Sequence, residues 1–151
     1  MSQSLSRIYI HATFGTKFRT RFINEEIAPK LHEYMVGIFM ELDSPALIIN
    51  SMPEHIHVLF RLSKNITVAK LMEEVKKSSS KWMKRQPLAT NSFYWQKGYG
   101  AFAVNDSHVD VVTGYIANQK KHHQKMTYRE EIEKLMAKYN VNEYNPDFYW
   151  D

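Results

Sequence analysis

Cysteine is absent from the 151 residues. That excludes thiolate metal sites and a catalytic cysteine, and nothing points to an oxidising compartment. Long apolar runs are missing as well. No segment approaches the roughly 20 residues that a membrane-spanning helix needs, and the opening stretch MSQSLSRIYIHATF lacks an uncharged run of targeting length. A cytoplasmic protein with no membrane partner is expected. There is no internal repeat, low-complexity tract or linker, so residues 1–151 are expected to form a single domain.

What is present suits a folded core. A chain that is 44% hydrophobic and 13% aromatic can bury enough apolar surface to offset its conformational entropy. The net charge of +4 is mild, and a pI near 9.2 is compatible with a polyanionic partner without requiring one. Distribution says more than the total. Lys17, Arg19 and Arg21 fall together, and Lys76, Lys77, Lys81, Lys84 and Arg85 crowd one expected helix. Two basic clusters in one small domain make nucleic acid a candidate partner. For each lysine a solvated surface remains the simpler reading.

The periodicities give an element order. SRIYIHATF alternates as a strand should, and INEEIAPKLHEYMVGIFMELD carries a helical stripe of Ile27, Leu31, Tyr34, Met35, Ile38 and Leu42, with Asn24 as its cap and Pro29 near the first turn. SPALIINSM and HIHVLFRLS read as paired strands around a Met-Pro-Glu break. Thr67 opens a second helix, with Val68, Leu71, Val75 and Trp82 inward, which Pro87 stops. A polar loop leads to a fourth strand in FYWQKGYGAFAV. A third helix then starts at a Ser107/Asp110 capping box, and a short last helix spans about 128–139. The order β-α-β-β-α-β predicts an α+β, ferredoxin-like split βαβ fold: an antiparallel sheet with both helices on one face and the other face open.

Candidate chemistry begins with PEHIHVLFRL, residues 53–62. On a strand, His55 and His57 share a face roughly 6.5–7 Å apart, close enough to converge on one metal ion. They could equally be satisfied polar residues of a half-buried strand, and two ligands are too few for a site. Tyr115 and Gln119, four apart, are neighbours on one helical face. A tyrosine packed against the sheet with glutamine at its edge explains that pair equally well. His122 and His123, in KKHHQK, read as a solvated, weakly basic face.

Together these residues resemble the single-tyrosine transposases of the HUH endonuclease superfamily. Histidine, bulky hydrophobe and histidine after a proline match Pro53, His55, Ile56 and His57, and HATFGTKFR, KKSSSKW, WQKGYGAFAV and YIANQKKHH resemble the family's other recurrent blocks. The resemblance spans nearly the whole chain. It implies that Tyr115, on a C-terminal helix, is the catalytic nucleophile, that His55, His57 and Gln119 hold a divalent metal, Mg²⁺ or Mn²⁺, and that no nucleotide cofactor is needed. It further implies a transposase that nicks and rejoins single-stranded DNA with hairpins through a 5′-phosphotyrosine. A homodimer is also implied, in which the tyrosine helix can complete the partner's site, with Gly114 easing the movement. His11 could line the site as a supporting residue. Tyr94, Trp95 and Tyr99 could stack unpaired bases, although core packing explains Trp95 as well. Two other readings stand beside this one: a domesticated relative acting on repetitive genomic hairpins, and a non-catalytic ferredoxin-like nucleic-acid-binding module.

Overall fold

Alternation along one strand sets the architecture. Residues His55–Arg61 (β3) send Ile56, Val58 and Phe60 to one sheet face and His55, His57 and Leu59 to the other, and every residue from His55 to Phe60 is buried. The structure, a computed structural model, describes residues 2–87 and 92–151. The polar loop expected after Pro87 lies partly outside them. β3 pairs antiparallel with β2 (Ala46–Met52) across a hairpin whose turn is Pro53 and Glu54, and with β1 (Tyr9–Gly15) on its other side. β4 (Gly100–Val104) adds to β1, giving a four-stranded sheet in the order β2-β3-β1-β4. This is the expected α+β, split βαβ arrangement.

The first sheet face carries α1 (Ala28–Glu41) and α2 (Val68–Lys84). Their apolar stripes, among them Leu31, Met35 and Phe39, and Leu71, Met72, Val75 and Met83, close over Ile10, Ala12, Phe14, Ile56, Val58 and Phe60. Apolar burial of this kind contributes about 1.5–3 kcal/mol per large side chain and dominates the fold's stability. Thr67 caps α2 as its sequence predicts, accepting from the Lys70 amide at 3.1 Å. Trp82 is only half-buried and stacks on Tyr34.

The second face is not open. α3 (Val109–Ala117) sets Val112 and Ile116 on Tyr9, Leu59 and Val104, while α5 (Tyr128–Lys138) sets Ile132, Leu135 and Met136 on Phe102. The cause is local composition: Tyr9, Leu59, Phe102 and Val104 make this face apolar at one end, and such a surface needs a cover. α5 begins with a capping box in which Thr127 and Glu130 satisfy each other's backbone amides.

Three expected boundaries shift. Only Gly100–Val104 of the fourth stretch is a strand; Trp95 contributes an isolated bridge to Thr16. Asn105, rather than Ser107, caps the turn before α3: its side-chain oxygen accepts from the Ser107 amide two residues on, at 3.1 Å. The single helix expected to carry both Tyr115 and Gln119 breaks at Asn118 (φ −97°, ψ 22°) into α3 and α4 (Gln119–His122). A short α6 (Pro146–Tyr149), capped by Asn145, ends the chain.

Candidate active site

β3 and β1 build the floor of the site. Register pairs Thr13 with His57 and Gly15 with His55, leaving His11 one strand position further along on the same face. His11 Nε2 lies 2.8 Å from His57 Nδ1, and Glu54 Oε1 lies 2.8 Å from His55 Nδ1. Each candidate ligand is thus steered through its δ nitrogen, which turns its ε nitrogen inward. Burial lowers the His55 pKa to about 4, outweighing its contact with Glu54. Burial, helped by His57, lowers that of His11 to about 3. Near neutral pH both rings are therefore uncharged, the form in which imidazole ligates a metal.

Tyr128, the first residue of α5, roofs His55, its ring stacked at 3.8 Å and 8°. Gly15 permits this close approach, because a β-carbon there would meet Tyr128 Cε2, Glu54 O and Gln96 Oε1 at 3.1 Å. One turn along the same helix, Glu131 projects into the centre and is 1% exposed. Its Oε1 lies 3.0 Å from His57 Nε2, 3.1 Å from His123 Nε2 and 3.5 Å from His55 Nε2. Its Oε2 accepts from Gln119 Nε2 at 2.9 Å and from the hydroxyl of Tyr115.

These contacts fix protonation. Burial works to raise the Glu131 carboxyl, but hydrogen bonds from His123 and His57 outweigh it and hold the group well below the usual carboxylate range. Burial, reinforced by the negative charge of Glu131, pushes the Tyr115 phenol well above its ordinary value. In this arrangement the proton stays on Tyr115. His123 is also buried, yet Glu131 raises its pKa.

The donor set fits a divalent cation. With its Nδ1–H engaged by Glu54, neutral His55 turns an Nε2 lone pair toward two oxygens, Gln119 Oε1 at 3.2 Å and Glu131 Oε1 at 3.5 Å. The amide of Gln119 is oriented the same way, because its nitrogen is committed to Glu131. His123 Nε2 contacts the same two oxygens, Gln119 Oε1 at 2.9 Å and Glu131 Oε1 at 3.1 Å, a place that a cation drawn to these converging lone pairs would take. One ligand atom each from His55, His57 and Glu131 all lie within 4.8 Å of one another.

A sequence profile described as "Transposase IS200 like" matches residues 4–119. The chain belongs to this family of transposases. Two solved structures share its fold. One, a transposase candidate from Deinococcus radiodurans R1, is 20% identical, with a TM-score of 0.60 over 79% of this chain and 98% of the other. The second is a REP-associated tyrosine transposase bound to a REP hairpin, 15% identical, with a TM-score of 0.59 over 82% of this chain and 74% of the other. No curated protein matches. Among the described residues of this transposase, no helix is long and apolar enough to cross a membrane.

The transposase's site draws on elements both inside and beyond the matched segment. His11, His55, His57, Tyr115 and Gln119 come together from four elements. Glu131 and His123 lie beyond residue 119 and were not expected. Glu131 had a visible signature: it falls among Tyr128, Ile132, Leu135 and Met136 on the buried stripe of α5, where an unpaired carboxylate would be costly. His123, by contrast, sits in a run that looks solvated.

The basic clusters divide. Lys76 is not a surface charge: its ammonium donates to the carbonyls of Gln96, Lys97 and Gly98 at 2.6–3.1 Å, and burial lowers its pKa to about 8. Lys77 pairs with Glu74, whereas Lys81, Lys84 and Arg85 continue along the α2 end on the sheet face opposite the histidines. Arg19 and Arg21 line a groove that reaches His123 and Tyr128, with Arg21 Nη1 3.4 Å from Glu54 Oε2, whereas the Lys17 ammonium lies over the Phe18 and Tyr94 rings. Trp95 is core, donating to Ser79 Oγ at 2.9 Å, while Tyr94 is half-exposed. Tyr99 is partly buried against the first core.

Proposed function

We propose that this transposase nicks and rejoins single-stranded DNA at hairpin-bearing ends, using Tyr115 as the nucleophile. One observation carries the reading. The Tyr115 hydroxyl bonds a carboxylate that lies between imidazoles with ligand geometry, so nucleophile and cation site share a single residue, Glu131. His55, His57 and Gln119 would hold the ion, with Glu131 Oε1 adding an anionic ligand. Mg²⁺ or Mn²⁺ fits, and the two imidazoles favour Mn²⁺. When bound, a divalent cation there draws charge from the scissile phosphate and offsets the negative charge of Glu131.

The protein's own residues do the rest. Tyr115 Oη forms a bond to phosphorus as the bond from phosphorus to the 3′-oxygen breaks, leaving a 5′-phosphotyrosine and a 3′-hydroxyl. Glu131 Oε2 already contacts the proton that Tyr115 must lose. Gln119 Nε2 holds that carboxylate in place, and Glu54 and His11 keep the two histidines turned inward. One phosphodiester replaces another, so bond energy is conserved and a second strand end can reverse the step without a nucleotide cofactor. The hairpin-bound relative supports a hairpin-bearing substrate. Because His55 and His57 have no exposed surface, the Tyr128–Glu131 roof must draw back before a phosphate can reach them.

Tyr115 stands beside its own His57, ring centroids 6.0 Å apart, which supports a site assembled within one chain. The homodimer is read by sedimentation of the protein with and without DNA. The reading as a whole is tested by incubation with labelled single-stranded DNA and Mn²⁺: a denaturation-resistant adduct that Tyr115→Phe abolishes supports it.

A further inference from the structure

Between β1 and α1 the chain makes a turn with an unusual backbone. Phe18 (φ 58°) and Arg19 (φ 55°) are consecutive non-glycine residues in the left-handed region. Such conformations persist only where their surroundings enforce them. Here they are enforced: Lys17 N donates to Tyr94 O at 2.8 Å, Arg19 N to Thr16 O at 2.9 Å, and Thr16 Oγ1 to Thr20 O at 2.6 Å. The result is an aromatic ring held away from the core. Phe18 is 75% exposed, and the Lys17 ammonium sits 5.4 Å from its ring. Arg19 and Arg21 leave the same turn and line a groove of about 590 Å³ that also holds Lys125 and Arg129, the carboxylates of Glu54 and Glu130, and His123 and Tyr128 of the site.

We propose that this turn grips the single-stranded flank of the DNA that enters the site, with Phe18 stacking on one unpaired base and Arg19 and Arg21 taking adjacent phosphates. The inference rests on the reading of the chain as a single-strand transposase and names the path to its centre. Isolated exposed phenylalanines are ordinary. What sets this one apart is the combination of an enforced left-handed backbone, cations on both sides and a neighbouring groove, with four cations against two carboxylates, that reaches His123. Each arginine has one weak contact within the chain: Arg21, 72% exposed, reaches Glu54 at 3.4 Å, and the Arg19 guanidinium lies 4.9 Å from the Trp150 ring. Aromatic stacking accepts any base and guanidinium any phosphate, so the turn grips without reading sequence.

The test measures binding by the full-length protein, in chelator, of a fluorescent DNA hairpin with and without a single-stranded flank. Phe18→Ala should lose on the order of tenfold in affinity for the flanked hairpin and nothing for the flankless one, while Phe18→Trp keeps wild-type affinity. Arg19→Ala and Arg21→Ala should each flatten the dependence of log affinity on log salt by about 0.7. Overturning results are a wild type indifferent to the flank, a Phe18→Ala variant that binds normally, or equal losses on both hairpins. Adduct formation is assayed in parallel. An adduct with no flank effect removes this inference and leaves the transposase reading standing; a flank effect with no adduct does the reverse.

Discussion

The Tyr115 hydroxyl donates to Oε2 of Glu131, a residue sixteen positions further along the chain and on a different helix. The other oxygen of that carboxylate lies among the ε nitrogens of three histidines. The charge on Glu131 therefore controls the protonation of Tyr115. Glu131→Gln should bring the Tyr115 pKa down from its raised value, because a neutral amide no longer opposes the phenolate. NMR of ζ-labelled tyrosine across a pH series, in chelator, checks this; an unmoved Tyr115 resonance would contradict it.

Glu54 would act on a bound cation through His55, whose Nδ1 it holds at 2.8 Å. Glu54→Ala frees the His55 ring, and loss of an orienting partner of this kind typically costs about 10–100-fold in metal affinity. Calorimetric titration with Mn²⁺ measures it. Gln119→Ala and His57→Ala should weaken binding as well, and Lys81→Ala should not.

Acid should destabilise the metal-free protein in a defined window. His11 and His55 have folded pKa values of about 3 and about 4, against 6.5 for the unfolded residue. Their contribution is complete above pH 6.5 and is lost as pH falls toward 4. In that interval the unfolded chain binds more protons, so stability drops by up to about 1.4 kcal/mol per pH unit for each ring. His123, whose pKa is raised, has the opposite sign, but its effect falls above 6.5. Glu131 begins to contribute only below 4.5. Urea midpoints at several pH values follow the trend, and His11→Asn should flatten it.

Trp95 and Lys76 should behave as structural residues. Trp95→Ala should cost about 3–5 kcal/mol for the cavity it leaves, whereas Tyr94→Ala should stay within about 0.5 kcal/mol as a surface change. Lys76→Ala leaves three carbonyls without their ammonium and should cost about 1–3 kcal/mol, while Lys81→Ala is near neutral. Denaturant unfolding separates the four variants.

Much of this arrangement was legible in the sequence, and the limits have physical causes. Strand alternation puts His55 and His57 on one face, and helical spacing brings Tyr115 near Gln119 even though Asn118 breaks the helix between them. Glu131, although its place on the α5 stripe marks it as buried, gave no local signal of a site, and His123 reads as solvated, because their roles depend on α5 folding back over the sheet, a long-range contact that no local period records. The cover on the second face is hidden for the same reason. Lys76 looks like its solvated neighbours until the carbonyls of residues 96–98 are seen around it.

The central claim is that Tyr115 is the nucleophile of a cation-dependent strand transfer, and one gel tests it most directly. Labelled hairpin DNA with single-stranded flanks is incubated with Mn²⁺ and the full-length protein, then denatured. The account predicts a covalent protein–DNA band that requires the metal, disappears in Tyr115→Phe and in His57→Ala, and maps to Tyr115. A band that persists in Tyr115→Phe, or its absence from wild type across many hairpin substrates, would contradict it.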